Sequence, residues 1–258
     1  GSLGSGSLRT ISVCDVDLVH QSQISDEEET RFQMPVSIYG REKGRHDGGA
    51  SYVWGEKEVT IRRGVHLRLV NVGSTPVIEQ RQTLGYPICS ICGQSVSPLA
   101  SDAQIVHFVS SHEERCGRKP EMLGFFSDVV ADCLTLPACS NRTQAYSILE
   151  AIRMGATQVL DMHLDDLQIL VIGHVDRDEV DGVLWDPMPG GSGILAQIRA
   201  NFDKVLARAK EIAEGCPAGC EHSCIDCLQT FRNAYYHRFL DRNMALKVMG
   251  EWGEHLRD

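Results

Sequence analysis

A chain of 258 residues, 42% of them apolar, holds enough material for one large domain or two small ones, and no apolar run approaches the ~18 residues that span a bilayer. Its formal charge of −10 excludes the basic excess typical of a free-standing nucleic-acid binder. There is no G-x4-G-K-[ST] phosphate loop, no G-x-S-x-G elbow and no H-E-x-x-H pair, which excludes ATP binding by that loop and the hydrolytic chemistries those motifs carry.

Residues 1–8, GSLGSGSL, lack the apolar core of a secretory signal and read as a linker or tag, so the expected compartment is the cytoplasm. Residues 9–80 read as a β-rich segment. Its acidic run Asp26, Glu27, Glu28 and Glu29 fits a solvated loop, 35–39 a short strand, and Arg45 to Gly49 a glycine-rich connection. Val59, Ile61, Val65, Leu67 and Leu69 alternate with polar residues, and Arg63-Gly64 between them fits the turn of a hairpin.

Residues 81–258 form the second expected part. Cys89-x2-Cys92 makes a knuckle, and His112-x3-Cys116 places two ligands one helical turn apart; His107 competes with His112 at a poorer spacing. A strand is expected over 122–136. A helix capped by Asn141 or Thr143 runs to about Met154 and is closed by Gly155, with Ala145, Ile148, Leu149 and Ile152 on its inner face. Strands are expected at 157–162, 167–173 and 182–185. The turn MPGGSG leads into a helix over 194–213, striped by Leu195, Ile198, Phe202, Val205, Leu206, Ala209 and Ile212. Cys216, Cys220, Cys224 and Cys227 follow in the spacing C-x3-C-x3-C-x2-C, then a last helix over 242–256. The fold class is α+β: a β-rich zinc-knuckle part, then a mixed sheet with long helices and a four-cysteine site.

The two sets of ligands point to two Zn2+ ions, since four thiolates so close match one tetrahedral ion. Disulfides do not suit a reducing compartment, and iron–sulfur is the competing assignment for the all-cysteine set. Cys14, Cys133 and Cys139 remain as buried thiols. A closed four-thiolate shell is structural rather than catalytic. The upstream set has the ligand count of a nucleobase deaminase but not its H-x-E…P-C-x-x-C order. Four thiolates with one Zn2+ add −2, and three thiolates with a neutral histidine and one Zn2+ add −1, so the metallated chain stands near −13. Asp161, His163, Asp165 and Asp166 in DMHLDD offer a weak nuclease-type cation site, for which a polar turn is the plainer account. Gly190 to Gly193 fit either an anion cradle or, better, a tight strand-to-helix turn.

A longer pattern links these pieces. Tyr86-Pro87-Ile88-Cys89 with Cys92-Gly93, then His112 and Cys116, Ser127-Asp128-Val129-Val130, Asp186 through Gly193, Cys220-x3-Cys224-Ile225-Asp226-Cys227-Leu228, Phe231-Arg232-Asn233, His237 and Leu240-Asp241-Arg242 occur in order. This string resembles the MrfA-type zinc-binding domain. That domain is a helicase-associated unit of unknown function at the C-terminus of superfamily-two DEAD/DEAH-box helicases and in anti-phage defence proteins. The resemblance departs from the family at Ser127, where the family has threonine. It implies a non-enzymatic accessory domain, partner to a helicase motor in cis or in trans, in DNA repair or antiviral defence. The acidic balance makes DNA contact by this chain alone weak, and the local candidates for phosphate contact are Arg232, His237, Arg238 and Arg242, with Tyr235 and Tyr236 as stacking surfaces. Two alternatives stay open: a protein–protein adaptor docking to a helicase without touching DNA, and Arg232, Asn233, His237 and Asp241 serving as packing partners of the zinc loop.

Overall fold

The computed structural model describes residues 8–13, 38–43, 49–73, 77–78, 81–97, 100–174 and 176–258. The expectations for 1–7, Cys14, the acidic run at 26–29, residues 35–37 and Arg45 to Gly48 lie outside the described residues. In chain order the elements are β1 (Arg9–Ser12), β2 (Ile38–Glu42), β3 (Ala50–Trp54), β4 (Lys57–Asn71), β5 (Val77–Ile78), β6 (Arg81–Gln82) and β7 (Tyr86–Ile88). Then come α1 (Asp102–Cys116), β8 (Glu121–Cys139), α2 (Arg142–Val159), β9 (Gln168–Gly173), β10 (Val180–Asp186), α3 (Ile194–Ala200) and α4 (Phe202–Glu214). A 3-10 segment (Phe231–Phe239), α5 (Arg242–Trp252) and β11 (Leu256–Arg257) complete the chain, which is α+β with a mixed sheet.

Two compact units do not follow the chain linearly: one comprises 40–68 and 128–258, the other 69–127 with 8–13 and 38–39. In the larger unit β10 lies between β8 and β9 and is antiparallel to both, with Leu184 opposite Leu134 on one side and Ile169 on the other. β9 pairs in parallel with β2 through Gly40 and Ile172. β3 and β4 form an antiparallel hairpin whose two-residue turn has Gly55 at φ 61°, and β11 pairs with β3.

α2 is the centre of this unit. Every residue from Ala145 to Ala156 is buried, and Ile148, Leu149 and Ile152 pack with Leu184, Ile198, Val205 and Leu206. Each such side chain contributes ~1.5–3 kcal/mol relative to exposure. Asn141 caps α2, accepting from the Gln144 amide at 2.9 Å. The expected stop at Gly155 is corrected: the helix runs through it to Val159. A Cβ there would lie 2.4 Å from the Val205 carbonyl oxygen, so the glycine lets α4 cross closely instead of ending α2. The strand expected at 157–162 is therefore the last turn of α2 and a loop.

Three other expectations change. Arg63-Gly64 is no hairpin turn but a kink inside continuous β4, where Gly64 at φ 61° donates its N–H to Asp132 Oδ1 at 3.0 Å. The long helix breaks at Asn201 (φ −121°, ψ 27°) into α3 and α4. The last helix ends at Trp252, followed by Gly253 at φ 82°, whose carbonyl accepts from Trp54 Nε1 at 2.7 Å.

The smaller unit builds the upstream cluster. β7 pairs antiparallel with the start of β8, Pro87 opposite Met122, and β1 pairs there in parallel, Arg9 opposite Leu123. Tyr86 donates its hydroxyl to Asn71 Oδ1 at 2.8 Å. A reciprocal box starts α1: Gln104 N–H donates to Ser101 Oγ at 3.3 Å and Ser101 N–H to Gln104 Oε1 at 2.8 Å. Gly117 at φ 72° closes it.

Candidate metal centres and the basic segment

The C-terminal cysteines lie on the irregular loop between α4 and the 3-10 segment. Their sulfurs stand 3.6 Å (Cys216–Cys220), 3.5 Å (Cys216–Cys224), 3.6 Å (Cys220–Cys227) and 3.9 Å (Cys224–Cys227) apart. A tetrahedral ion with Zn–S near 2.3 Å sets its sulfurs about 3.8 Å apart, whereas a disulfide brings two sulfurs to ~2.05 Å. All four cysteines are free. The donor set and its spacing fit a closed Zn2+ shell. The Cys224 amide also donates to Cys227 Sγ at 3.2 Å, a bond that stabilises a thiolate.

The thiol pKa values diverge in the same sense. The Cys220 amide, first among several donors, draws Cys216 down to about 6, while burial and then the neighbouring sulfurs push Cys220 up. One sulfur ionises readily and its neighbours resist. A bound dication would let all four ionise together.

Carbonyl anchors hold this loop. Arg242 donates from Nε to the Cys220 carbonyl at 2.7 Å and from Nη1 to the Ala213 carbonyl at 2.9 Å, tying the loop to the end of α4. Asn243 Nδ2 donates to the Glu221 carbonyl at 2.7 Å. Asn233, fully buried, donates to the Leu228 carbonyl at 2.8 Å and accepts the Thr230 amide at 2.7 Å. His237 Nε2 lies 2.6 Å from Asn233 Oδ1, and burial lowers its pKa. Asp241 caps α5, accepting from the Asn243 amide at 2.8 Å and the Met244 amide at 3.1 Å.

The sequence reading missed the floor beneath this segment. Glu150, Arg153 and Tyr236 are all buried. Arg153 Nη2 donates to Glu150 Oε1 at 2.7 Å, the Tyr236 hydroxyl donates to Glu150 Oε2 at 2.6 Å, and Arg153 Nη1 donates to the Leu167 carbonyl at 3.1 Å. The signal was present in ILEAIRMGA, where two charges sit in a run that is apolar on every side. A cavity of about 470 Å³ opens beside Cys227; its cation, Arg208, is already paired with Gln158 and Glu211.

The upstream set also converges. The ligand atoms of Cys89, Cys92, His112 and Cys116 all lie within 4.8 Å of one another, and Cys92 Sγ stands 3.3 Å from His112 Nε2, close to the ~3.5 Å expected across a shared zinc. His107 is not in the set. Gly93 N–H donates to the Cys89 carbonyl at 2.8 Å, closing the knuckle. His112 Nδ1 is buried with no hydrogen-bond partner among the described residues. The Cys92 amide, first among the causes, draws Cys89 down to about 6, and burial pushes Cys116 up to about 11.

Among the described residues these are the only convergent sets of three or more such ligands, so DMHLDD forms none. Within it the His163 amide donates to Asp166 Oδ2 at 2.7 Å, and Asp165 pairs with Arg232 at 2.8 Å. The GGSG turn wraps a carboxylate: buried Asp186 accepts from the Ser192 amide and hydroxyl and from the Met188 amide, which fills the place of an anion.

Of the segment's cations, Arg232 and Arg238 are exposed, Arg232 paired with Asp165 and Arg238 lying over the Phe239 ring at 4.9 Å, while Arg242 and His237 are more deeply held by loop carbonyls and Asn233. Tyr236 is buried and stacked 4.4 Å from Tyr146, and Tyr235 meets Tyr236 edge-on at 4.7 Å.

Residues 148–228, from within α2 to just past Cys227, match the family model of the MrfA Zn-binding domain. The match contains the four-cysteine loop and leaves the upstream cluster outside. The chain is 26% identical over 254 residues to Druantia protein DruE of Escherichia coli (strain UMEA 4076-1), covering 85% of this chain and 13% of that protein. The chain thus spans about 13% of the length of this curated relative. A crystal structure of the DUF1998 helicase MrfA bound to DNA is similar at TM-score 0.43 and 11% identity, over 84% of this chain and 25% of that one. A second MrfA crystal structure gives TM-score 0.37 at 11% identity, over 79% of this chain and 24% of that one. Within the chain, residues 148–228 are thus similar to the MrfA Zn-binding domain, and the chain as a whole is similar in sequence to a segment of DruE. Among the described residues no helix is long and apolar enough to cross a membrane.

Proposed function

We propose that this chain is a zinc-stabilised accessory module of a DNA helicase or translocase, binding two Zn2+ ions and helping the motor engage nucleic acid in DNA repair or anti-phage defence. The observation that carries this is the four-sulfur set at tetrahedral spacing inside the stretch matching the MrfA Zn-binding domain. The zinc is structural: it fixes the loop that leads into the 3-10 segment bearing Arg232 and Arg238. The motor lies in the same polypeptide or in a partner.

DNA contact by the chain alone is weak, because the zinc-loaded chain, near −13 from the formal −10 less 2 and 1 for the two thiolate sites, repels a polyanion at long range. Arg232 and Arg238 carry it. Metal analysis should return two zinc ions per chain. Fluorescence anisotropy across a salt series should show affinity falling with salt, and each phosphate contact removed should lower the log–log slope by about 0.9 on duplex DNA. Unchanged affinity in the double variant Arg232→Ala, Arg238→Ala would count against this reading. The acidic balance favours one alternative, a protein–protein adaptor docking to a basic face of a helicase. Salt-sensitive capture of the motor without any DNA affinity would establish that alternative.

A further inference from the structure

We propose that one face of the β2–β4 pair, carrying Arg41, Lys43, Arg63 and Arg68, is a second contact surface for the phosphates of duplex DNA, an inference that rests on the reading above that the chain engages DNA. All four cations belong to the larger unit. β2 leads to the middle of β4, where Lys43 N–H donates to the His66 carbonyl at 2.8 Å.

Contacts sort the side chains onto two faces. Glu42 holds Arg62 by two bonds, Nη1 to Oε1 at 2.6 Å and Nη2 to Oε2 at 2.8 Å, on the face that also carries Thr135. Successive residues of a strand point to opposite faces. Arg41 and Lys43 therefore stand on the face away from Glu42, and Arg63 on the face away from Arg62. Arg68 joins them by contact, because it and Lys43 bind the same carboxylate, Asp128. Arg41 and Arg63 are exposed, and Lys43 keeps 42% of its side chain exposed against 18% for Arg62.

Asp128 shows what this face takes. Arg68 presents Nε and Nη2, each at 2.7 Å, and Lys43 Nζ approaches at 2.9 Å. A phosphate accepts the same fork and the same point charge. Arg68 first, then Lys43, hold the Asp128 carboxyl well below the usual carboxylate range. Asp128 thus stands where a phosphate would bind. Its side chain is 40% exposed, and exposed ion pairs are worth little net, so a phosphate can displace it. Asp132, further along β8, is taken up by the Gly64 N–H.

Charge decides the occupant. The chain is acidic as a whole, so cations gathered on one face are where a polyanion is drawn. Guanidinium and ammonium groups contacting phosphates fix position without reading sequence. Duplex DNA carries one charge per ~1.7 Å of axis against ~3.4 Å for one of its strands, which makes the duplex the better ligand for such a face.

The test uses the full zinc-loaded chain and a labelled duplex in anisotropy titrations across a salt series. Arg41→Ala combined with Arg63→Ala should weaken binding and lower the log–log salt slope by about 1.8, two contacts at about 0.9 each. Asp128→Asn should raise affinity up to about 5-fold, an effect that a merely structural carboxylate would not give. Asp128→Asn affinity at or below wild type would overturn the phosphate stand-in. Wild-type affinity and slope in the Arg41/Arg63 double variant, alongside lost affinity in Arg232→Ala, Arg238→Ala, would overturn this face and leave the DNA reading intact. Polyglutamate displacing the duplex as well as unlabelled duplex does, residue charge for charge, would overturn the phosphate assignment in favour of an acidic protein partner. Absence of any duplex binding by the wild-type chain would overturn both this face and the DNA reading. Zinc content and melting temperature should match wild type in the Arg41/Arg63 variant, since both side chains are exposed.

Discussion

In the upstream cluster two ligands come from a tight knuckle after β7 and two from the last turn of α1. In the C-terminal cluster all four come from one irregular loop. The upstream knuckle is closed by its own backbone, and buried His112 Nδ1 has no hydrogen-bond partner among the described residues. The C-terminal loop is held from outside itself by Arg242, Asn243 and Asn233, and Cys227 and Leu228 belong to the core around α2. Similar ligand chemistry thus sits in two settings. Where secondary structure presents the ligands, a bound ion would close a local corner; where a loop presents them, a bound ion and the core would hold one another.

The largest effects follow from removing metal. Cys227→Ser should release the C-terminal zinc and unfold the loop together with the 3-10 segment and α5, since structural zinc binding supplies on the order of 10 kcal/mol that is also folding energy. Cys92→Ser should remove one zinc and leave the melting of the rest of the chain close to wild type. Native mass spectrometry and circular dichroism check both. Thiol labelling after chelation should reach the eight cluster ligands' seven cysteines but spare Cys133 and Cys139, which are buried and pushed up to about 12 by that burial. Equal cooperative unfolding in both serine variants would erase the contrast.

Next come the groups beneath the loop. Arg153→Met leaves the Glu150 carboxylate buried without its cation and should cost about 3–5 kcal/mol in chemical denaturation, while replacing both partners by apolar residues of similar volume should cost far less. Tyr236→Phe removes a hydrogen bond to a charged acceptor and should cost ~1.5–3 kcal/mol. Arg242→Ala should speed zinc loss to a chelator from the C-terminal site alone, at a cost of about 2–3 kcal/mol, because two carbonyls lose a charged donor. If Arg242→Ala weakened DNA binding with the zinc unmoved, the residue would be a phosphate contact after all.

These side chains also mark how far the sequence could be read. Metal-ligand spacing is local, so Cys216 to Cys227 and Cys89 to Cys116 were legible as sets before any fold was known. Caps are local too, and of the two expected cap residues, Asn141 and Thr143, Asn141 caps the start of α2. What failed depended on distant partners. Gly155 looks like a stop signal until α4 crosses it, and Gly64 looks like a turn until Asp132 is found to accept its N–H. Arg242 reads in the sequence as a candidate phosphate contact; the structure adds the Cys220 and Ala213 carbonyls as its acceptors, which no local pattern shows. Glu150 and Arg153 pass for a solvated i,i+3 pair unless the apolar run on both sides is weighed.

The smallest expected effect separates loop geometry from loop anchoring. Gly93 in the upstream knuckle has φ 73° and Gly219 in the C-terminal loop φ 57°, and a Cβ at either meets nothing within 4 Å. Alanine at each position therefore feels only the left-handed backbone penalty, ~1–2 kcal/mol, with no clash added. Gly93→Ala and Gly219→Ala should cost the same within a few tenths of a kcal/mol in denaturant titrations and leave two zinc ions bound. The equality is informative because the settings differ: a local backbone penalty ignores what surrounds the loop, whereas loss of an anchor does not. If Gly219→Ala cost several kcal/mol more or shed its zinc, the tight turn after Cys216 rather than the Arg242 and Asn233 anchors would be what holds the C-terminal cluster.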